Sequence, residues 1–193
     1  MKETLVFLVS WWLTSACGGS MPETRYYDLA APAARPATAG DVTLAIEPLE
    51  VDDAYDDERI AYRQSRVRLD YYHYHRWSAP PGVLVANALE RSLERSGRFR
   101  AVVRDQAGVR LVLGGRVVAI EEVDVSKKRW VGRIALELHL RDADTGEIIW
   151  SADLEEREPL RDQSPEGLAR ALSAATTRLA GRIAPQLAAT AQR

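Results

Sequence analysis

Cys17 is the only thiol in the 193-residue chain, so no internal disulfide, thiol metal cluster or CxxC redox pair can be built. The histidines offer the next chemistry. His73 and His75 stand two apart in HYHRW, a spacing that puts both on one face of a strand and can bind zinc, with His139 available as a third nitrogen. No fourth ligand accompanies them, and two histidines in an aromatic strand are more often surface or packing residues. The acidic stretch Asp52, Asp53, Asp56, Asp57 and Glu58 lacks the ordered oxygen spacing of a calcium loop, and DADTGE at 142–147 has Gly146 one position too early. Both read as solvated turns. There is no GxSxG, HExxH or GxxxxGK[ST] motif, and Gly114-Gly115 lies within a strand pattern rather than at a strand-to-helix turn. No acidic residue stands in plainly apolar surroundings that would suit it to acid catalysis. The expectation is a chain without catalytic residues, metal or cofactor.

What remains is the setting of Cys17. TLVFLVSWWL at 4–13 is apolar but too short to span a bilayer, which needs about 20 residues. It fits the apolar core of a signal peptide, and small Ser15 and Ala16 lead into the cysteine. The run LTSAC resembles a lipobox, with Leu13 one place further back than usual. The implied chemistry is a thioether from the thiolate to diacylglycerol, cleavage before Cys17 and acylation of the freed amine. An uncleaved anchor and ordinary secretion are the alternatives. Residue 18 is Gly rather than Asp, which by resemblance to enterobacterial lipoproteins favours the outer membrane, periplasmic face, over inner-membrane retention.

The elements that follow suit one domain. Residues 1–16 are the signal, 17–40 the tether and an Ala/Pro-rich loop, and 41–193 a folded unit. Val42, Leu44 and Ile46 alternate with polar or small residues, as do Val67, Leu69, Tyr71, His73, His75 and Trp77, both predicting strands. Ser78 with Pro80-Pro81 opens a helix whose stripe includes Leu84, Val85, Leu89 and Leu93, and Gly97 ends it. Residues 109–125 predict a long strand. Ile134, Leu136, Leu138 and Leu140 then face Ile148, Trp150, Ala152 and Leu154 across the DADTGE turn, a hairpin. Ser164-Pro165 begins a last helix with Leu168, Leu172, Leu179, Ile183 and Leu187 on one side, which Pro185 should bend or end. The simplest packing is an α+β two-layer sandwich: a mostly antiparallel sheet under two amphipathic helices, with the first helix a crossover that makes one parallel pair.

Net charge is −2, which offers no excess of cations for phosphates, so nucleic acid is not an expected partner. Several landmarks in order resemble the ABC-type transport auxiliary lipoproteins. They are Cys17, Tyr26-Tyr27-Asp28-Leu29, LAIEPLEV at 44–51, IAYR at 60–63, YYHYHRWSAPP at 71–81 and ALERSLERSGRF at 88–99. LEVDDAYDDE replaces the proline-tyrosine-leucine stretch usual after the first strand. The resemblance implies a membrane-anchored periplasmic lipoprotein that docks to an Mce-domain protein of an ABC system moving phospholipids between the two membranes. A structural or assembly lipoprotein of another envelope machine, and a lipid-binding carrier, are the competing readings; self-association is open. Because strand side chains alternate, Tyr71 and Trp77 fall on the apolar side. Tyr72 and Tyr74 fall on the other face and are the interface candidates, joined by Tyr26 and Tyr27 near the tether.

Overall fold

The computed structural model describes residues 22–30 and 40–192. Cys17, the signal segment and the Ala/Pro-rich loop lie outside the described residues. Nine strands and two helices follow in chain order. They are β1 (Arg25–Tyr27), β2 (Thr43–Ile46), β3 (Glu50–Val51), β4 (Arg59–Ser65), β5 (Arg68–Trp77), α1 (Pro81–Arg95), β6 (Ala101–Val103), β7 (Leu111–Ser126), β8 (Arg129–Asp142), β9 (Ile148–Pro159) and α2 (Pro165–Ala191). The architecture is α+β, an open sheet with both helices against one face.

Strand β7 is the spine. Along one edge it pairs with β8 over its whole length, antiparallel, with Ile120 opposite Ile134. Along the other edge three short strands follow one another, all parallel to it. Leu44 of β2 lies beside Leu111, Glu50 of β3 beside Arg116, and Ala61 of β4 beside Glu121. Strand β5 turns back antiparallel on β4, and β1 adds to it in parallel. Most paired residues belong to the antiparallel hairpins, but five parallel pairings occur among the described residues where one was expected. Alternating hydrophobicity assigns a face to each short strand but not a neighbour, so this part of the topology has no local signature.

Helix α1 starts at the two prolines without a side-chain cap from Ser78; its N-cap is Pro80. Its Leu84, Val85, Leu89 and Leu93 are fully buried. Gly97 at φ 67° turns the chain out of it. Helix α2 is capped by Ser164, whose Oγ accepts from the Gly167 amide at 3.0 Å. It runs on through Pro185 to Ala191, so the proline does not end it. Leu168, Leu172, Leu179, Ile183 and Leu187 are buried as the spacing required. Gly132 of β8 lets α2 lie close, since a Cβ there would stand 3.2–3.3 Å from Leu168, Leu172 and Ala171. The core joins these residues to Leu44, Ile46, Ile60, Trp77, Leu113, Ile134 and Leu136. The opposite face of β8 and β9, with Arg133, Glu137, His139, Asp153 and Glu155, carries no helix among the described residues and keeps its polar groups in or near water.

Candidate functional site

The tyrosine-rich corner where β1, β4 and β5 meet does not obey simple alternation. The β4–β5 register passes from Arg59 opposite Arg76 to Ala61 opposite Tyr71, so Ile60 alone lies across from Tyr72 to His75. This bulge rotates the intervening side chains. The rings of Tyr72 and His75 meet edge-on at 5.5 Å, and His75 Nδ1 and the Tyr27 hydroxyl share a hydrogen bond of 2.8 Å. Burial, then the nearby Arg25, holds the His75 imidazole below its ordinary pKa. His73 is exposed, its ring tilted against that of Tyr74 at 6.3 Å, so the two histidines are committed to different neighbours.

The four tyrosines expected at an interface therefore divide. Tyr26 is 64% exposed and Tyr74 37%. Tyr27 is tied to His75, and Tyr72 packs against the core, its hydroxyl donating to Glu122 Oε1 at 3.0 Å. The pairing of Tyr72 with Tyr74 as one open face is thus corrected: the bulge places them in different environments.

Two adjacent carboxylates in β7, Glu121 and Glu122, are both buried and point to opposite faces of the sheet. Glu121 is fully compensated. It accepts from the Tyr55 hydroxyl and the Arg63 guanidinium at Oε2, and from Arg133 at Oε1, each at 2.8 Å. Burial pushes the Tyr55 hydroxyl up to about 12. Burial opposes the charge on Arg133, but hydrogen bonds to Glu155 and Glu121 outweigh it and raise that guanidinium's pKa. Arg63 of the IAYR element and Tyr55 of the acidic stretch thus have a shared structural task.

Glu122 has only Tyr72. Its Oε2 and the Oδ1 of nearby Asp124 are buried with no hydrogen-bond partner among the described residues. Burial raises the Glu122 carboxyl from 4.5 to about 7, the Tyr72 hydrogen bond opposing and Asp124 adding to the rise. A carboxyl raised in the folded state stabilises fully below its unfolded value, and that contribution is lost as pH climbs through the folded value. Glu122→Gln is therefore expected to be more stable than the parent near pH 8, by on the order of 2 kcal/mol, with the advantage gone below about pH 5. Urea melts of both proteins across that range check this. Parallel stability curves at all pH values would contradict it.

The bare face of the sheet carries an open groove of about 810 Å³ lined by Glu47, Glu50, Arg116, Glu137, His139 and Asp153, among others. Gly115, at φ 144°, forms part of its floor, where a side chain would collide with the Glu137 carbonyl. Arg116 is engaged by Glu137 at 2.8 Å, which leaves the groove predominantly acidic. Such a lining suits polar or cationic protein segments better than acyl chains.

A profile described as the ABC-type transport auxiliary lipoprotein component matches residues 27–184. The chain belongs to this family. The fold agrees. The crystal structure of protein XCC0632 from Xanthomonas campestris is similar at a TM-score of 0.73 and 20% identity, covering 87% of this chain and 97% of that one. The hypothetical protein CT253 from Chlamydia trachomatis gives 0.50 at 8% identity, covering 77% and 96%. No curated protein matches the chain in sequence. As a transport auxiliary lipoprotein component the chain falls in a family of envelope-anchored accessory proteins, not an enzyme family. Within the family frame the aromatic strand ends at Trp77, 1% exposed, which the core covers just before the prolines start α1. Glu121 and Glu122 were not singled out by sequence reasoning. Their only signal is a charged pair set between Ile120 and Val123 in the middle of a strand pattern.

Proposed function

We propose that the protein is the lipid-anchored periplasmic docking subunit of an Mce-type ABC system that moves phospholipids between the inner and outer membranes, held through Cys17 to the outer membrane. The family match across residues 27–184 carries this reading. The lipobox-like LTSAC and the Gly at position 18 support the anchor and its membrane. The partner is an Mce-domain protein, and the exposed rings of Tyr26 and Tyr74 are its contact residues on this chain. Tyrosine buries large area on association with little side-chain entropy to lose.

Copurification from native membranes tests both parts. The expected result is an Mce-domain protein with the parent chain, and a yield reduced roughly tenfold by Tyr26→Ala with Tyr74→Ala, as loss of about 1.4 kcal/mol at an interface would give. Thermal unfolding of that variant should stay near the parent's, because neither ring is in the core. Tyr72→Ala, in contrast, should unfold earlier by removing a packed ring and the Glu122 hydrogen bond. Undiminished capture by the double variant would exclude these rings, and recovery of only unrelated envelope proteins would exclude the partner.

A further inference from the structure

The chain's net charge of −2 conceals a strong asymmetry. Arg63 in β4 lies beside both Leu69 of β5 and Val123 of β7. The β4–β5 turn and the β7–β8 turn therefore project from the same end of the sheet, within about 10 Å or two strand spacings of each other. That end carries Arg66, Arg68, Lys127, Lys128 and Arg129, all exposed and none in an ion pair among the described residues. The Gln163 amide donates to the Lys127 carbonyl at 3.4 Å, which brings exposed Arg161 alongside. Of the carboxylates near this end, Glu23 is exposed, Glu166 is paired with Arg170, and the others are set back or engaged. Asp70 and Asp124 lie inside their strands, and Asp162 is held by Arg170 at 2.7 Å. Two apolar side chains stand among the cations, Val67 at 95% exposure and Val125 at 50%.

We propose that this basic end docks on anionic phospholipid headgroups, in the membrane that holds the lipidated Cys17, with Val67 and Val125 entering the interfacial layer. The inference rests on the anchor reading of Cys17. Strand β1 runs parallel to β5 with Arg25 beside His75, so the chain preceding Arg25 leads back toward Arg68. Seven residues of β5 separate His75 from Arg68, about 23 Å at most because the bulge shortens the path, and the three residues from Pro22 to Arg25 can cover up to about 10 Å of it. The five residues from Cys17 to Pro22 can reach at most about 18 Å. The lipid anchor can therefore stand level with the basic end, and a domain tethered that closely presents this end to the headgroups. Glu23 borders a groove with Glu166 of α2's first turn, which again puts the approaching chain at this end. Charge decides the surface: a cluster of cations with interspersed valines matches an anionic bilayer, each cation contributing about a fivefold gain in partitioning.

The mature chain from residue 17 with Cys17→Ser, mixed with vesicles of phosphatidylcholine with or without phosphatidylglycerol, tests the face without the lipid. Flotation with the anionic vesicles only, reversed by salt, is expected, and Lys127→Ala with Lys128→Ala should lower partitioning on the order of 25-fold while leaving thermal unfolding unchanged. The lipidated protein, reconstituted in the same two vesicles, should be cleaved by trypsin at Lys127-Lys128 more slowly in the anionic ones. Equal partitioning of parent and variant, or equal cleavage in both vesicles, would overturn the proposal. Crosslinking of this end to an acidic protein with no dependence on phosphatidylglycerol would overturn it in favour of a protein partner. A lipidated chain that floats with neither vesicle would overturn the anchor reading, and with it the orientation drawn here.

Discussion

Cys17→Ala is expected to release the protein from membranes completely and to abolish incorporation of labelled fatty acid. Among the described residues no helix is long and apolar enough to cross a membrane. The apolar run at 4–13 falls short of the length of a span. On the lipobox reading of LTSAC, attachment rests on acyl chains carried through the thiol. Each buried methylene is worth about 0.8 kcal/mol; one chain binds only marginally, whereas chains on both the thioether and the amine hold essentially permanently. Alanine preserves the small-residue character of the site but cannot form the thioether. The basic end adds only reversible, salt-sensitive affinity. High-salt washing of the variant therefore separates the two contributions: the parent should stay with the membrane and the variant should leave it. Equal label on parent and variant would defeat the assignment of Cys17.

How much of this was legible beforehand follows the range of each signal. The β8–β9 hairpin was readable because the alternation of Leu136, Leu138 and Leu140 mirrors Leu154, Ala152 and Trp150 across the DADTGE turn, and the register sets Leu136 opposite Leu154. Helix α2 was readable from its 3.6-residue stripe. Of the two effects expected of Pro185, ending the helix does not occur, because a proline removes one amide and strains one turn, while the buried Ile183 and Leu187 on either side keep the helix on the sheet. The bulge at Tyr72 to His75 was not legible, since the strand pattern continues unbroken through it and only the β4 partner reveals the extra residues. For the same reason the interface tyrosines were placed by alternation in a segment that does not alternate. Glu121 was hidden by distance: two of its three compensating groups, Tyr55 and Arg63, come from segments more than 50 residues from it, and only Arg133 faces it across the β7–β8 hairpin. The anchor rests wholly on the sequence, because Cys17 precedes the described residues.

Glu121 supplies the largest expected loss of stability. Its carboxylate is 0% exposed and carries three hydrogen bonds of 2.8 Å, two of them from guanidinium groups only 24% and 23% exposed. Arg133 continues the chain of charge to Glu155 at 2.9 Å, and Arg157 meets Glu155 at 2.7 Å. Glu121→Gln keeps the shape and can still accept from Tyr55, but it leaves the Arg63 guanidinium with no carboxylate among the described residues and turns an amide N–H toward a cation. Breaking a buried pair by removing one partner costs about 3 to 5 kcal/mol, because the remaining charge stays desolvated without compensation. A loss of about 3 kcal/mol is expected, which for a domain of this size lowers the melting temperature by roughly 6–12 °C. Urea unfolding of the mature protein measures it. Replacing both partners distinguishes an energetic role from a merely occupied site. Glu121→Leu with Arg63→Met removes the charge and its stranded partner together, and should recover much of the loss, since apolar replacements of buried ion pairs are often neutral or stabilising. Tyr55 then loses its acceptor, which sets the recovery short of complete by about 1 kcal/mol. A cost under about 1 kcal/mol for Glu121→Gln would show that water reaches this carboxylate in solution, and the network would then be an exposed ion pair of little consequence.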